Sequence, residues 1–330
     1  MSNFDLYKEL DINDIVFVSG LARSGKSLAC ALISSFDDVD KVSVNFSLEQ
    51  IPCLNFLNKI SYDTSVFLLK SSINLMIYEN SIGRNANFRP NDFTSISNYK
   101  DPIDYMKRFS KEEGNEALLR IRSENLLSLM MVHNGLWHAN MWFDSIPHLK
   151  FIHVARNPVE IVFSWILKNY DGGFSVNNNS REMLPTYKYN DQVLPYYVYG
   201  WEDTFLRLNK IDKIIHLVDK IREHHKAAYE SLTEDRKKRI LFIKHSELIR
   251  NTSTSLSKIS DYIDRPPSIH TKRVCSEQNC PRSDSLPTPF LTSNKTFEEK
   301  LAIIKPSASY DSFKILKRML NEFDNSSRAI

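Results

Sequence analysis

The spacing of apolar positions changes period several times along the chain. Ile15-Val16-Phe17-Val18 is a short β-branched and aromatic run, the pattern of a buried parallel strand, and a glycine-containing turn follows at once. Leu28, Ala29, Ala31, Leu32 and Ile33 then predict a helix packed against the sheet. Helical stretches are expected around residues 50–60 and 65–80, and Leu118, Leu119, Leu126, Leu127 and Met130 carry helical spacing across 112–130. Leu149 to Val154 predicts a second parallel strand. A turn at Arg156-Asn157-Pro158 leads from it into a helix through about Lys168, where the proline suits a first helical turn. Ile211, Ile214, Ile215, Val218 and Ile221 mark one face of a long amphipathic helix. Ile240 to Lys244 predicts a third strand, followed by a helix ending near Ile263, and a last helix covers about Tyr310 to Phe323.

Strand and helix alternate, so the expected fold class is a three-layer α/β/α domain around a central parallel sheet. One domain over residues 1–330 is expected. It carries irregular insertions near 81–111 and 171–195 and a C-terminal loop and helix over 264–330. Gly83 to Pro102 reads as lid or substrate-facing loops, and the polar stretch Asp171 to Asn190 as a loop before the aromatic cluster Tyr196-Tyr197-Val198-Tyr199-Gly200-Trp201. That cluster is compatible with an acceptor site or with ordinary core packing.

Composition excludes several classes of function. Apolar residues make up 42% and charged residues 25%, the balance of a soluble globular protein. A net charge of +3 argues against nucleic acid as a partner and leaves room for a local pocket for one anionic ligand. No run of about 18 apolar residues suggests a membrane span, and the N-terminus does not read as a signal peptide. Cys30, Cys53, Cys275 and Cys280 match no zinc or redox spacing, so reduced thiols and a cytoplasmic location are expected. Oligomeric state is not legible.

Only eight glycines occur, roughly a third of ordinary usage, yet two of them fall in Gly20-Leu21-Ala22-Arg23-Ser24-Gly25-Lys26-Ser27. That segment satisfies G-x-x-x-x-G-K-[ST], in which backbone N–H groups and a helix N-terminus converge on a phosphate. A magnesium-dependent NTPase would also carry an acid at the end of a second strand. Here that strand ends in Arg156, and Asp219 belongs to the long helix. Arg156 is followed eight residues later by Ser164, a pair able to hold a second anion or, equally, a structural arginine with an unrelated helix serine.

Together these segments resemble the sulfotransferase superfamily, whose donor is 3′-phosphoadenosine 5′-phosphosulfate (PAPS). Arg23-Ser24-Gly25-Lys26-Ser27 is similar to the family's 5′-phosphosulfate loop, and Arg156-Asn157-Pro158 with Ser164 to its 3′-phosphate segment. Ile240 to Ile249 is similar to a third family motif. The three run in family order over about residues 14–265. The resemblance implies a P-loop-like sulfotransferase fold, no metal, and sulfuryl transfer to a hydroxyl or amine on a small molecule, glycan or lipid. It implies that Arg23, assisted by Lys26, steadies the charge growing on the leaving oxygen, while Ser24, Gly25 and Ser27 hold the phosphosulfate. It also implies a general base, His133 or Glu49, with His138 a nearby competitor. Arg282 and Lys295 either close over the nucleotide or are solvated loop charges. Lys26, where the family has Thr or Ser, keeps an ATP-dependent P-loop kinase as an alternative, alongside a non-catalytic nucleotide-binding homologue.

Overall fold

A computed structural model of the chain describes Leu6 and residues 14–170, 184–282 and 295–326. Residues 171–183 of the 171–195 insertion and the whole 283–294 stretch lie outside those residues. Six strands are present among them: β1 (Ile15–Ser19), β2 (Ser128–Met131), β3 (Lys150–Ala155), β4 (Thr186–Tyr189), β5 (Gln192–Pro195) and β6 (Ile240–Lys244). Four form one parallel sheet in the order β2-β1-β3-β6. The other two make an antiparallel hairpin, β4 with β5, within a stretch expected to be loop.

Alternation along the parallel strands assigns side chains to two faces. Val16, Val18, Leu129, Met131, Ile152, Val154 and Ile243 face one apolar layer, shared with helix α1 (Lys26–Ile33) and the Thr252–Ile263 helix. Ile15, Phe17, Met130, Phe151 and Ile240 face the other, with helix α3 (Tyr62–Ser81) and the Ala139–Ser145 helix. Phe17 is fully buried and meets Trp142 and Phe151 edge-on at 5.0 and 5.5 Å. Burying a ring of that kind contributes about 1.5–3 kcal/mol. Helices cover both faces, so the three-layer α/β/α expectation holds.

The second and third predicted strands match β3 and β6, and the last helix spans Tyr310–Asn325. One helix expectation fails. Helical spacing through Met130 is overturned: the helix stops at Ser123, and Ser128–Met131 is β2, paired to the free side of β1 with Ile15 opposite Ser128. A four-residue strand covered on both faces carries no period of its own, so pairing decides its state. The 81–111 excursion packs on its own small core of Ile96, Tyr99 and Tyr105 and is pinned by an Arg108–Asp40 ion pair of 2.8 Å.

Candidate active site

All four parallel strands point their carboxyl ends the same way, and each is followed by a residue with chemical potential. His133 comes after β2, the Gly20–Ser27 turn after β1, Arg156 after β3 and His245 after β6. This is the edge at which open α/β sheets bind ligands. A cavity of about 440 Å³ opens there. Its lining includes Arg23, Lys26, Arg156 and Arg282, with His133, His245, Ser27, Tyr170 and Gln278, and among the described residues no carboxylate.

The turn after β1 is built by its glycines. Gly20 has φ +149°, and a Cβ there would lie 2.4 Å from the Val154 carbonyl oxygen on the neighbouring strand. Gly25 has φ +103°, and its Cβ would lie 2.4 Å from the His245 ring. Both positions therefore exclude a side chain. Arg23 itself adopts φ +68°. Gly25 is the N-cap of α1, no side chain caps that terminus, and no acid occupies its first turn. The helix end thus offers N–H groups and a positive dipole to the cavity.

Lys26 is buried, and its Nζ donates to the loop's own carbonyls, Gly20 O at 3.0 Å and Leu21 O at 2.7 Å. Burial pulls its pKa down to about 8, with Glu49 acting in the opposite direction. Ser27 lines the cavity, whereas Ser24 does not: its Oγ is buried without a hydrogen-bond partner.

The segment after β3 reaches the same turn. Asn157 caps the Pro158–Leu167 helix by accepting from Val159 N at 2.9 Å. Ser164, fully buried one turn before the helix ends, accepts from Arg23 Nε at 3.1 Å. Trp165 Nε1 donates to Ala22 O at 3.0 Å. Arg156 Nη1 donates to Arg23 O at 2.9 Å and Nη2 to Glu160 at 3.0 Å, while Nε is buried without a partner. Burial draws the Arg156 guanidinium below its ordinary range, opposed by Glu160. Two stretches more than a hundred residues apart are thus hydrogen-bonded to one another around one cavity.

His133 and Glu49, expected as rivals, are partners: His133 Nδ1 lies 3.2 and 3.1 Å from the two Glu49 oxygens. Glu49 rides on helix α2 (Phe46–Phe56), which Asn45 caps through Ser47 N and Leu48 N, and Phe46 stacks on the His133 ring at 5.8 Å. His138, the competitor, lies outside the cavity lining, and burial keeps it neutral, its pKa pulled down to about 3. Asp219 is engaged elsewhere, accepting from Arg318 at 2.6 and 2.7 Å. Lys295 is exposed near the Phe297–Ile304 helix and does not line the cavity, but Arg282 does.

His245 carried no role in the sequence reading. Burial, with Arg156 and Arg282 nearby, holds it well below its usual pKa, so it is a neutral imidazole packed on Gly25. Its place directly after a parallel strand was the available signal.

A family model described as the sulfotransferase domain matches residues 13–281. The chain is similar to the solved sulfotransferase domain from the curacin biosynthetic pathway, with 12% identity, 93% of this chain and 98% of that one covered, and a TM-score of 0.47. It is also similar to the sulfotransferase domain of the Synechococcus PCC 7002 olefin synthase (13% identity, 96% and 98% covered, TM-score 0.45). A third is sulfotransferase STF9 from Mycobacterium avium (13%, 96% and 78%, TM-score 0.43). No curated protein matches the sequence. No helix among the described residues is long and apolar enough to cross a membrane.

Proposed function

The chain belongs to the sulfotransferase family, and from that premise we propose that it moves a sulfuryl group from PAPS to a hydroxyl or amine acceptor. One observation carries the reading: Arg23 of the turn is hydrogen-bonded to Ser164, and its carbonyl accepts from Arg156. An anion on the α1 N-terminus and a second beside Arg156 would therefore share one cavity, as the two ends of a doubly phosphorylated adenosine require. The lining suits that charge, with four cations and no carboxylate among the described residues. The glycine cradle leaves space that a Cβ would fill.

In this reading the acceptor oxygen or nitrogen forms the new bond to sulfur while the bond to the bridging oxygen breaks, releasing adenosine 3′,5′-bisphosphate. Charge grows on that bridging oxygen, where Arg23 and Lys26 stabilise it more in the transition state than in the ground state. The acceptor proton passes to His133. In this reading Glu49 accepts from Nδ1–H and so turns Nε2 toward the acceptor, making His133 the base and Glu49 its orienting partner. Ser27 and the α1 N–H groups hold the phosphosulfate. The acceptor belongs to the hydroxyl- or amine-bearing small molecules, glycans or lipids. Calorimetry with adenosine 3′,5′-bisphosphate and with adenosine 5′-monophosphate tests the reading. The bisphosphate should bind more tightly, and Arg156→Ala should cost it about 2–3 kcal/mol, roughly 30- to 150-fold, with little effect on the monophosphate. Equal affinity for the two ligands in the unmodified protein would overturn it.

A further inference from the structure

Arg156 does not stand alone at the end of β3. Its Nη2 donates to Glu160 Oε2 at 3.0 Å, and the other oxygen of the same carboxylate receives Lys300 Nζ at 2.5 Å. The three side chains are largely buried, with relative exposures of 13% for Arg156, 24% for Glu160 and 10% for Lys300. Glu160 is in the first turn of the Pro158–Leu167 helix, one turn from Arg156, so local geometry explains that pair. Lys300 comes from beyond the family-matched stretch, 140 residues away.

Its arrival is built into the C-terminal segment. Thr296 and Glu299 form a reciprocal capping box that starts the Phe297–Ile304 helix. Phe297, Leu301 and Ile304 then pack into the apolar cluster that holds Val159, Ile161, Val162 and Phe163. With that face buried, the residue between them, Lys300, is brought beside Glu160.

We propose that Glu160 and Lys300 are positioning residues for Arg156, Glu160 fixing the guanidinium and Lys300 cancelling the carboxylate charge that would otherwise repel a phosphate there. The proposal rests on the PAPS reading above. A carboxylate is the strongest partner for orienting a guanidinium, but next to an anion-binding arginine it lowers the local charge from +1 to zero. Lys300, which is not among the residues lining the cavity, restores the sum to +1. Orientation and attraction are thereby supplied by different residues, and the one that supplies the balancing charge lies in the C-terminal helix.

The test is calorimetry on the full chain with adenosine 3′,5′-bisphosphate and adenosine 5′-monophosphate, comparing the unmodified protein with Lys300→Met and Lys300→Arg. Lys300→Met should weaken bisphosphate binding roughly 10- to 30-fold and leave the monophosphate within about twofold, while Lys300→Arg restores the preference. An equal loss on both ligands would mean a merely structural lysine, and no loss on either would mean no role; each overturns the proposal. Should Lys300→Met fail to fold, Lys300→Gln, which keeps a hydrogen-bond donor and removes the charge, is read by the same criteria. If the unmodified protein shows no preference for the bisphosphate, the cofactor reading falls and the positioning role with it. If that preference exists and survives loss of the Lys300 charge, only the positioning role falls.

Discussion

The turn after β1 and the segment after β3 line one cavity, but they are made by different means. The turn is a backbone device: two glycines at positive φ, an uncapped helix end, and a lysine folded onto the loop's own carbonyls. The β3 segment is a side-chain device, in which Arg156 is oriented by Glu160, Glu160 is balanced by Lys300, and Ser164 reaches across to Arg23. A backbone device is complete within eight consecutive residues and tolerates almost no added volume. A side-chain device can draw its parts from anywhere in the fold, so it is adjustable one charge at a time.

The comparison breaks first if the turn tolerates a side chain. Gly20→Ala places a methyl 2.4 Å from a main-chain oxygen on β3, which cannot swing aside. We expect a loss of about 2–4 kcal/mol in urea denaturation and loss of bisphosphate binding. Unmodified stability would show that the cradle is not needed. The second effect concerns Lys26, whose pKa is pulled down to about 8 by burial. A bound anion favours its charged form, so the free protein must take up a proton on binding once the pH exceeds about 8. Bisphosphate affinity should therefore fall as pH rises through about 8, by at most about tenfold per unit, and calorimetry from pH 7 upward would show this limb. In Lys26→Met the limb should vanish. Its persistence would assign the titration to another group. The smallest effect tests the link between the two devices. Ser164→Ala removes the hydroxyl that accepts from Arg23 and should cost about 1 kcal/mol, roughly fivefold in bisphosphate affinity. No change would mean that the two segments act independently.

The same contrast explains what could be read in advance. Gly20 to Ser27 is legible because strand, turn and helix are consecutive and each residue's duty is local. Arg156 and Ser164 are legible as a spacing, but which anion they address depends on the sheet order that sets β3 beside β1. β2 was hidden because its leucine and two methionines fit a helix equally well until it is paired to β1. Glu49 and His133, 84 residues apart, looked like competitors because no local pattern reveals that α2 returns to the end of β2. Lys300 was invisible for the same reason: an isolated lysine in an amphipathic helix becomes informative only when the apolar face beside it is seen to dock on the Arg156 helix.

The most direct test of the central claim is a crystal structure of the chain with adenosine 3′,5′-bisphosphate bound. The account predicts the 5′-phosphate on the N–H groups at Gly25 to Ser27 and the 3′-phosphate within hydrogen-bonding distance of Arg156. A nucleotide that leaves Arg156 without a phosphate, or that binds away from the carboxyl edge of the sheet, would contradict it.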